Sequence, residues 1–136
     1  MNREKLIETA FAAMSYAYAP YSGYKVGAAL LSRSGRVFSG CNVENAAYGP
    51  TNCAERTAFF KAVSEGEREF SAIAVVGGKD GNVKDLFVPC GVCRQVMAEF
   101  CDGDFEIIVA KSPEEYSVFT LSEMLPMGFS PKNVAE

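Results

Sequence analysis

Apolar residues recur at spacings of three and four along three stretches of the chain, which predicts amphipathic helices. On the third helix we expect Val92 and Met97 to face the core. Pro20 and Gly66 are typical helix terminators and end the first two stretches. Thr120 and Glu123 have the spacing of a capping box, which predicts a short fourth helix. The predicted helices are residues 2–18, 53–65, 91–101 and 120–125.

Runs of apolar residues between these helices predict strands, and the first strand is apolar on both faces, which predicts burial on both sides. Ser34-Gly35 separates the first two as a hairpin turn. Because strands and helices alternate, the pattern predicts an α/β fold, a three-layer α/β/α sandwich with a mixed central sheet. We expect residues 1–136 to form a single domain. The predicted strands are residues 24–32, 36–42, 70–77 and 105–110.

Composition narrows the class of protein. Apolar residues make up 49 % and charged residues 22 % of the chain, as in globular proteins. The net charge is −4 and the basic residues are scattered, so we expect no nucleic-acid partner and a small polar or neutral substrate instead. No apolar run reaches the roughly 18 residues of a membrane span, and the N-terminus lacks the apolar core of a signal peptide. These features predict a cytoplasmic protein without a membrane partner.

The chain has five cysteines and no histidine. An odd number of cysteines without a secretory signal argues against a disulfide framework and favours metal binding or catalysis. The absence of histidine excludes every mechanism that needs an imidazole base. Proton transfer must therefore use Glu, Asp, Lys, Tyr or water bound to a metal.

Three cysteines have the spacing of a metal site. Cys90 and Cys93 form a C-x-x-C pair, and Cys53 is a third candidate ligand; both groups lie at the predicted start of a helix, where the thiolate is favoured. Structural zinc usually has four protein ligands, whereas catalytic zinc leaves one position for water, so three cysteines favour a catalytic Zn2+. Cys41 and Cys101 are either a fourth ligand or buried apolar residues.

Other interpretations of these residues exist. The C-x-x-C pair is also compatible with a redox pair or a structural zinc knuckle, but neither explains the carboxylate of Glu55 two residues after a cysteine. Glu55 could instead be the capping-box partner of Asn52. Arg56 and Arg94 directly follow the cysteine turns, so each either donates hydrogen bonds to sulfur or lies at the surface.

Two motifs resemble the signature of zinc deaminases, Cys53-Ala54-Glu55 and Pro89-Cys90-x-x-Cys93. More narrowly, the chain resembles the small homotetrameric cytidine deaminases over almost its whole length. The segments that carry this resemblance are 19–22, 26–30, 40–48, 53–56, 93–95 and 125–129.

The resemblance implies a zinc-dependent hydrolase of pyrimidine salvage that converts cytidine and deoxycytidine to uridine and deoxyuridine with release of ammonia. It implies one zinc per subunit, held by Cys53, Cys90 and Cys93, and attack of a zinc-activated water on C4 of cytosine. Glu55 is implied to take the proton of that water, to protonate N3, and then to protonate the departing amine.

The resemblance also implies a substrate site. Asn42 and Glu44 would bind the ribose hydroxyls, and their spacing on a strand end agrees because residues two apart point to the same side. The backbone amide of Ala54 would bind the pyrimidine carbonyl, and Tyr24 would line the pocket. Phe129 would reach the base in the site of a neighbouring subunit, which implies a homotetramer with sites near subunit interfaces.

Two alternatives to this function are open at the level of the sequence. One is a deaminase that acts on another cytosine-containing nucleoside, such as a nucleoside antibiotic. The other is a zinc-stabilised binding module without activity, in which Cys41 or Cys101 would complete four ligands.

Overall fold

The computed structural model describes residues 1–134, which contain four α-helices, five strands and a short 3₁₀ helix at Pro131–Asn133. The helices are α1 (Arg3–Met14), α2 (Ala54–Ser64), α3 (Gly91–Phe100) and α4 (Leu121–Met124). The strands are β1 (Tyr24–Ser32), β2 (Val37–Cys41), β3 (Phe70–Lys79), β4 (Glu106–Ala110) and β5 (Tyr116–Thr120).

The strands form one mixed sheet in the order β2-β1-β3-β4-β5. β1 pairs antiparallel with both β2 and β3, β3 pairs parallel with β4, and β4 pairs antiparallel with β5. The parallel pair needs a crossover, and α3 lies in the connection between β3 and β4. The mixed sheet confirms the predicted α/β class.

Alternate residues of the central strands face two separate apolar cores, as the period of two requires. On β1, Ala28 and Leu30 belong to the core that contains residues of α2 and α3, whereas Ala29 belongs to the core that contains residues of α1. On β3, Ile73 and Ala74 divide in the same way. Helices therefore cover both faces, and the predicted three-layer arrangement is confirmed.

Helix α1 is shorter than the predicted residues 2–18. The side chain of Asn2 caps its first turn by accepting from the amide of Lys5 at 2.8 Å. The helix ends at Met14, and Tyr18 forms backbone hydrogen bonds outside it. The amide of Tyr18 donates to the carbonyl oxygen of Asn42, and the carbonyl of Tyr18 accepts from the amide of Glu44, both at 2.9 Å. This pairing ties the segment after α1 to the loop after β2.

Two predictions about single elements were wrong. Strand β5 was not predicted, because it is an edge strand in which none of the five side chains is fully buried and the apolar alternation is weak. Val92 was predicted to face the core, but it lies in the first turn of α3 and is 58 % exposed. Met97, one turn further along, is fully buried as predicted.

Helix α2 lies directly against the hairpin of β1 and β2. A Cβ atom at Gly40 would lie 2.5 Å from the carbonyl oxygen of Ala54 and 2.6 Å from the amide of Ala58, so only glycine allows this approach. This close approach sets where the first turn of α2 lies, and Cys53 and Glu55 are at that end of the helix. Within the described residues, no helix combines the length and the apolar character that crossing a membrane requires.

Candidate active site

The N-termini of α2 and α3 bring three cysteines together. Cys53 is the N-cap of α2, Cys90 is the N-cap of α3, and Cys93 lies in the first turn of α3 with 1 % exposure. Residues of both helices pack into the same core. The two thiols at the N-caps lie beside backbone N–H groups that have no acceptor within their helix, which favours negative charge on sulfur.

The three sulfur atoms fit a tetrahedral zinc ion. They lie within 4.8 Å of one another, and Sγ of Cys53 and Sγ of Cys90 are 3.9 Å apart. Tetrahedral Zn–S bonds of about 2.3 Å place two sulfurs about 3.8 Å apart. Among residues 1–134 this is the one group of three or more candidate ligands with such spacing. The cluster can therefore hold a zinc ion with three protein ligands.

Cys41 and Cys101 do not belong to this cluster. Cys41 ends β2 opposite Gly27, and Cys101 packs against the core at the end of α3. Burial raises the pKa of the Cys101 thiol to about 12, so this side chain stays neutral and apolar in character. Three sulfurs without a fourth leave room for a non-protein ligand.

Arg56 supports the sulfur cluster. Its Nη2 donates to Sγ of Cys53 at 3.2 Å. A hydrogen bond from Cys93 and the Arg56 guanidinium lower the pKa of the Cys53 thiol to about 5, against the opposing effect of burial. The hydrogen bond between the two cysteines and burial raise the pKa of Cys93. Bound zinc would ionise coordinating thiols outright, and Arg56 would offset part of their negative charge.

Glu55 is the buried acid of the site. It is 4 % exposed and lies beside the cysteines in the first turn of α2. Burial raises the pKa of its carboxyl to about 7, and the charge on Cys53 adds to this effect. A carboxyl with a pKa near neutrality both accepts and donates protons readily at physiological pH.

The alternative role of Glu55 as capping-box partner of Asn52 does not match the geometry. The N-cap is Cys53, and no side chain forms a capping hydrogen bond there. Asn52 instead donates to Oγ1 of Thr57 at 3.1 Å, and the single hydroxyl proton of Thr57 is shared between the carbonyl oxygens of Cys41 at 2.9 Å and Cys53 at 3.2 Å. Thr57 thus joins β2 to the first cysteine, a role that its sequence position alone did not indicate.

Asn42 lies at the end of β2 and is 8 % exposed. Its Oδ1 accepts from the amide of Val26 at 2.9 Å, and its Nδ2 donates to the carbonyl of Tyr24 at 2.8 Å. An amide side chain has two N–H donors and two lone pairs, so one of each remains for a ligand. The structure thus orients Asn42 through the backbone of β1.

Glu44 is held by the loop before β1. Its carboxylate accepts from the amides of Tyr21 at 3.0 Å and Ser22 at 3.1 Å, and from the hydroxyl of Ser22. The Ser22 hydroxyl is the main cause that lowers the pKa of Glu44. Glu44, Ser22 and Tyr48 are among the residues that line a cavity of about 350 Å³ beside this loop.

The remaining predicted substrate residues lie at different places. Ala54 is fully buried, and its N–H is one of the first four of α2, which lack an acceptor within the helix. The ring of Tyr24 lies 6.2 Å from that of Phe87 and borders a cavity of about 400 Å³. Phe129 is 61 % exposed, and its carbonyl accepts from Nε2 of Gln95 at 2.7 Å.

Arg94 does neither of the two things predicted for it. It is half-buried rather than an exposed surface residue, and it donates to carbonyl oxygens rather than to sulfur. The reason is its direction on α3, which places the guanidinium between Pro89 and the end of α4. Gln95 was not assigned a role from the sequence, because its partner lies in the distant C-terminal segment.

The comparisons with known proteins agree with this geometry. Residues 1–109 match the family described as "Cytidine and deoxycytidylate deaminase zinc-binding region". Cytidine deaminase of Sporosarcina psychrophila is 48 % identical over 135 residues, which cover 99 % of this chain and 96 % of that protein. Cytidine deaminase of Halalkalibacterium halodurans is 48 % identical over 134 residues, which cover 98 % of each chain.

Solved structures with a similar fold are cytidine deaminases as well. The crystal structure of cytidine deaminase from Burkholderia pseudomallei superposes with a TM-score of 0.87 at 49 % identity, over 95 % of this chain and all of that one. That of cytidine deaminase from Mycobacterium tuberculosis superposes with a TM-score of 0.79 at 39 % identity, over 95 % of this chain and 98 % of that one. With three converging cysteines beside a buried glutamate, the chain belongs to the cytidine deaminase family of zinc-dependent hydrolases.

Proposed function

We propose that this protein catalyses the hydrolytic deamination of cytidine and deoxycytidine to uridine and deoxyuridine, with release of ammonia. The observation that carries the proposal is the buried carboxyl of Glu55 next to three sulfurs that can hold one zinc ion. The names of the similar proteins support the choice of nucleoside.

The proposed chemistry divides between metal and protein. Zinc held by Cys53, Cys90 and Cys93 would supply a Lewis acid that makes water nucleophilic at neutral pH. Glu55 accepts the proton of the water that attacks C4 and delivers it to N3 of the ring. The carboxylate next accepts the proton of the new C4 hydroxyl and delivers it to the amine, so that the C4–N bond breaks as the C4 carbonyl forms, one water is consumed and one ammonia is released. A carboxyl with a pKa near neutrality suits both directions of transfer.

The proposed substrate contacts follow from groups that retain free donors or acceptors. Ala54 offers the N–H at the start of α2 to the pyrimidine carbonyl, Asn42 and Glu44 bind the ribose hydroxyls, and Tyr24 lines the pocket. Asn42 keeps one N–H and one lone pair for this purpose beyond its bonds to β1.

We further propose that residues 1–136 act as one catalytic domain in a homotetramer, with Phe129 placed in a neighbouring subunit's site. The exposed ring of Phe129 supports this, because its own chain leaves more than half of it uncovered. The need for reduced thiols favours the cytoplasm.

A direct assay tests the activity. The zinc-loaded protein should release one ammonia for each cytidine or deoxycytidine consumed, and a chelator should stop the reaction until zinc is returned. Glu55→Gln keeps the three sulfurs and should retain zinc, but lose about 10²–10⁴-fold in kcat because proton transfer is lost. Glu8→Gln, on the exposed face of α1, is the control.

Two outcomes would contradict the proposal. A zinc-loaded protein that is inert on both nucleosides would exclude the activity, and a cytosine nucleoside antibiotic consumed much faster than either would reassign the substrate. Glu55→Gln with undiminished turnover would remove Glu55 from the mechanism.

A further inference from the structure

The segment that leads into Cys90 has very little hydrogen bonding of its own. Residues 83–89 belong to no helix or strand. Within the described part of the chain, the one hydrogen bond that reaches them is donated by Nε of Arg94 to the carbonyl oxygen of Pro89 at 2.8 Å. A chain without ladder or helix bonds opens readily unless packing or a side chain holds it.

Packing holds the segment only in part. Pro89 is fully buried, and Leu86 and Phe87 contact the core, but both are only partly buried. Proline has no N–H, so the carbonyl is the only backbone group through which Pro89 can be held by a hydrogen bond. The position of Cys90, the next residue, therefore depends on the hydrogen bond between Arg94 and the carbonyl oxygen of Pro89.

The same guanidinium is anchored at a second point. Nη1 of Arg94 donates to the carbonyl oxygen of Met124 at 2.7 Å. Met124 is buried and is the last residue of α4, where carbonyls lack a partner within the helix. A planar guanidinium holds two acceptors in one fixed geometry, which the single ammonium of lysine cannot do.

We infer that Arg94 is a positioning residue for the metal site, which acts through Pro89 to fix the sulfur of Cys90 opposite that of Cys53. Cys53 and Cys90 are both N-caps whose carbonyls accept an amide of their own helix, and the Thr57 hydroxyl lies 3.2 Å from the carbonyl oxygen of Cys53 as well. Cys90 is exposed and follows the weakly bonded segment 83–89. The neighbouring Gln95 bonds the carbonyl of Phe129, so the same turn of α3 also anchors the C-terminal segment. The inference rests on the proposed metal site.

The test compares Arg94→Lys with a matched control. Arg68→Lys is suitable because Nη1 of Arg68 also donates to two carbonyl oxygens, those of Val63 and Glu67, but at the end of α2 away from the cysteines. The first measurement is the rate at which the zinc-loaded protein releases zinc to a chromogenic chelator. We expect Arg94→Lys to release zinc about 10–100-fold faster than wild type, and Arg68→Lys to match wild type.

The second measurement separates positioning from general stability. Cobalt(II) replaces zinc, and the sulfur-to-cobalt absorption band reports how many thiolates bind the metal. Arg94→Lys should weaken this band at a urea concentration where the protein remains folded. Arg94→Ala extends the series, and if it fails to fold, the lysine variant still decides the question.

The outcomes are distinguishable. If wild type binds cobalt through three thiolates and Arg94→Lys equals Arg68→Lys in both measurements, the role of Arg94 is refuted while the metal site stands. If wild type itself shows no sulfur-to-cobalt band, the proposed metal site fails and this inference fails with it.

Discussion

At the scale of single residues, two of the predicted site residues are carboxylates whose surroundings shift their pKa values in opposite directions. Burial raises the pKa of Glu55 to about 7, whereas hydrogen bonds from Ser22 and Tyr21 lower the pKa of Glu44. A neutral carboxyl can donate a proton, and an ionised one accepts hydrogen bonds from hydroxyl groups. The two environments agree with the proposed roles of Glu55 in proton transfer and of Glu44 in binding ribose hydroxyls.

The lowered pKa of Glu44 predicts how stability depends on pH. Because the folded pKa lies below the ordinary value of 4.5, the carboxylate contributes stability above pH 4.5, and this contribution is lost as pH falls through the folded pKa. Glu44→Gln should therefore lower the free energy of unfolding at pH 7, and the difference from wild type should shrink at acid pH. Urea unfolding at both pH values measures this.

Glu8→Gln is the control, since Glu8 lies on the exposed side of α1. It should leave the free energy of unfolding nearly unchanged at both pH values. An equal loss for Glu44→Gln at pH 7 and in acid would show that the contacts of Glu44 do not depend on its ionisation.

The residues of the site differ in how far the sequence could specify them. The spacing of Cys90 and Cys93, with Cys53 and Glu55, predicts a metal site because few other structures need those residue types together. The partners of Arg94 could not be predicted in this way. Its hydrogen bonds join α3 to Pro89 and Met124, and no local pattern encodes which carbonyls a long side chain will meet.

At the scale of elements, helix α2 and strand β2 must lie very close for the site to form. We predict that Gly40→Ala lowers the free energy of unfolding by about 1–3 kcal/mol, because the new methyl would press on the backbone of α2 at Ala54 and Ala58. The displacement should also speed zinc release, since Cys53 caps the same helix. Urea unfolding and transfer of zinc to a chelator measure the two effects.

Gly49→Ala is a matched control for this prediction. A Cβ atom at Gly49 would lie 3.9 Å from its nearest neighbour, the carbonyl oxygen of Ala47, which is ordinary contact. It should leave stability within about 0.5 kcal/mol of wild type. If Gly40→Ala behaves in the same way, the close approach of α2 to β2 does not limit the fold.

The apolar pattern of the sequence predicts some secondary-structure elements well and others poorly. Strands β1, β3 and β4 were predicted because apolar runs buried on both faces are unmistakable. β5 was not, because an edge strand buries little and mixes polar with apolar residues. The end of α1 was misplaced because Tyr18 pairs with the loop after β2, and this tertiary contact outweighs a helical pattern.

At the scale of the whole molecule, several apolar side chains remain uncovered. Val92, in the first turn of α3, and Phe129, on the segment that Gln95 holds, are more than half exposed. Large apolar groups exposed beside a site commonly mark contact with another molecule. This exposure supports the proposal that Phe129 contacts a neighbouring subunit.

A complementation experiment decides whether Phe129 acts within its own chain or across subunits. Alone, Phe129→Ala should lower kcat/KM roughly 5–150-fold, because stacking of a base on an aromatic ring contributes about 1–3 kcal/mol. Glu55→Gln alone should be nearly inactive while keeping its own Phe129. When the two variants are refolded together, mixed assemblies should contain sites that combine Glu55 from one chain with Phe129 from another, and activity should exceed the average of the separate variants. Activity that stays at this average would place Phe129 and Glu55 in the same chain's site, and a monomer by sedimentation would exclude the shared site altogether.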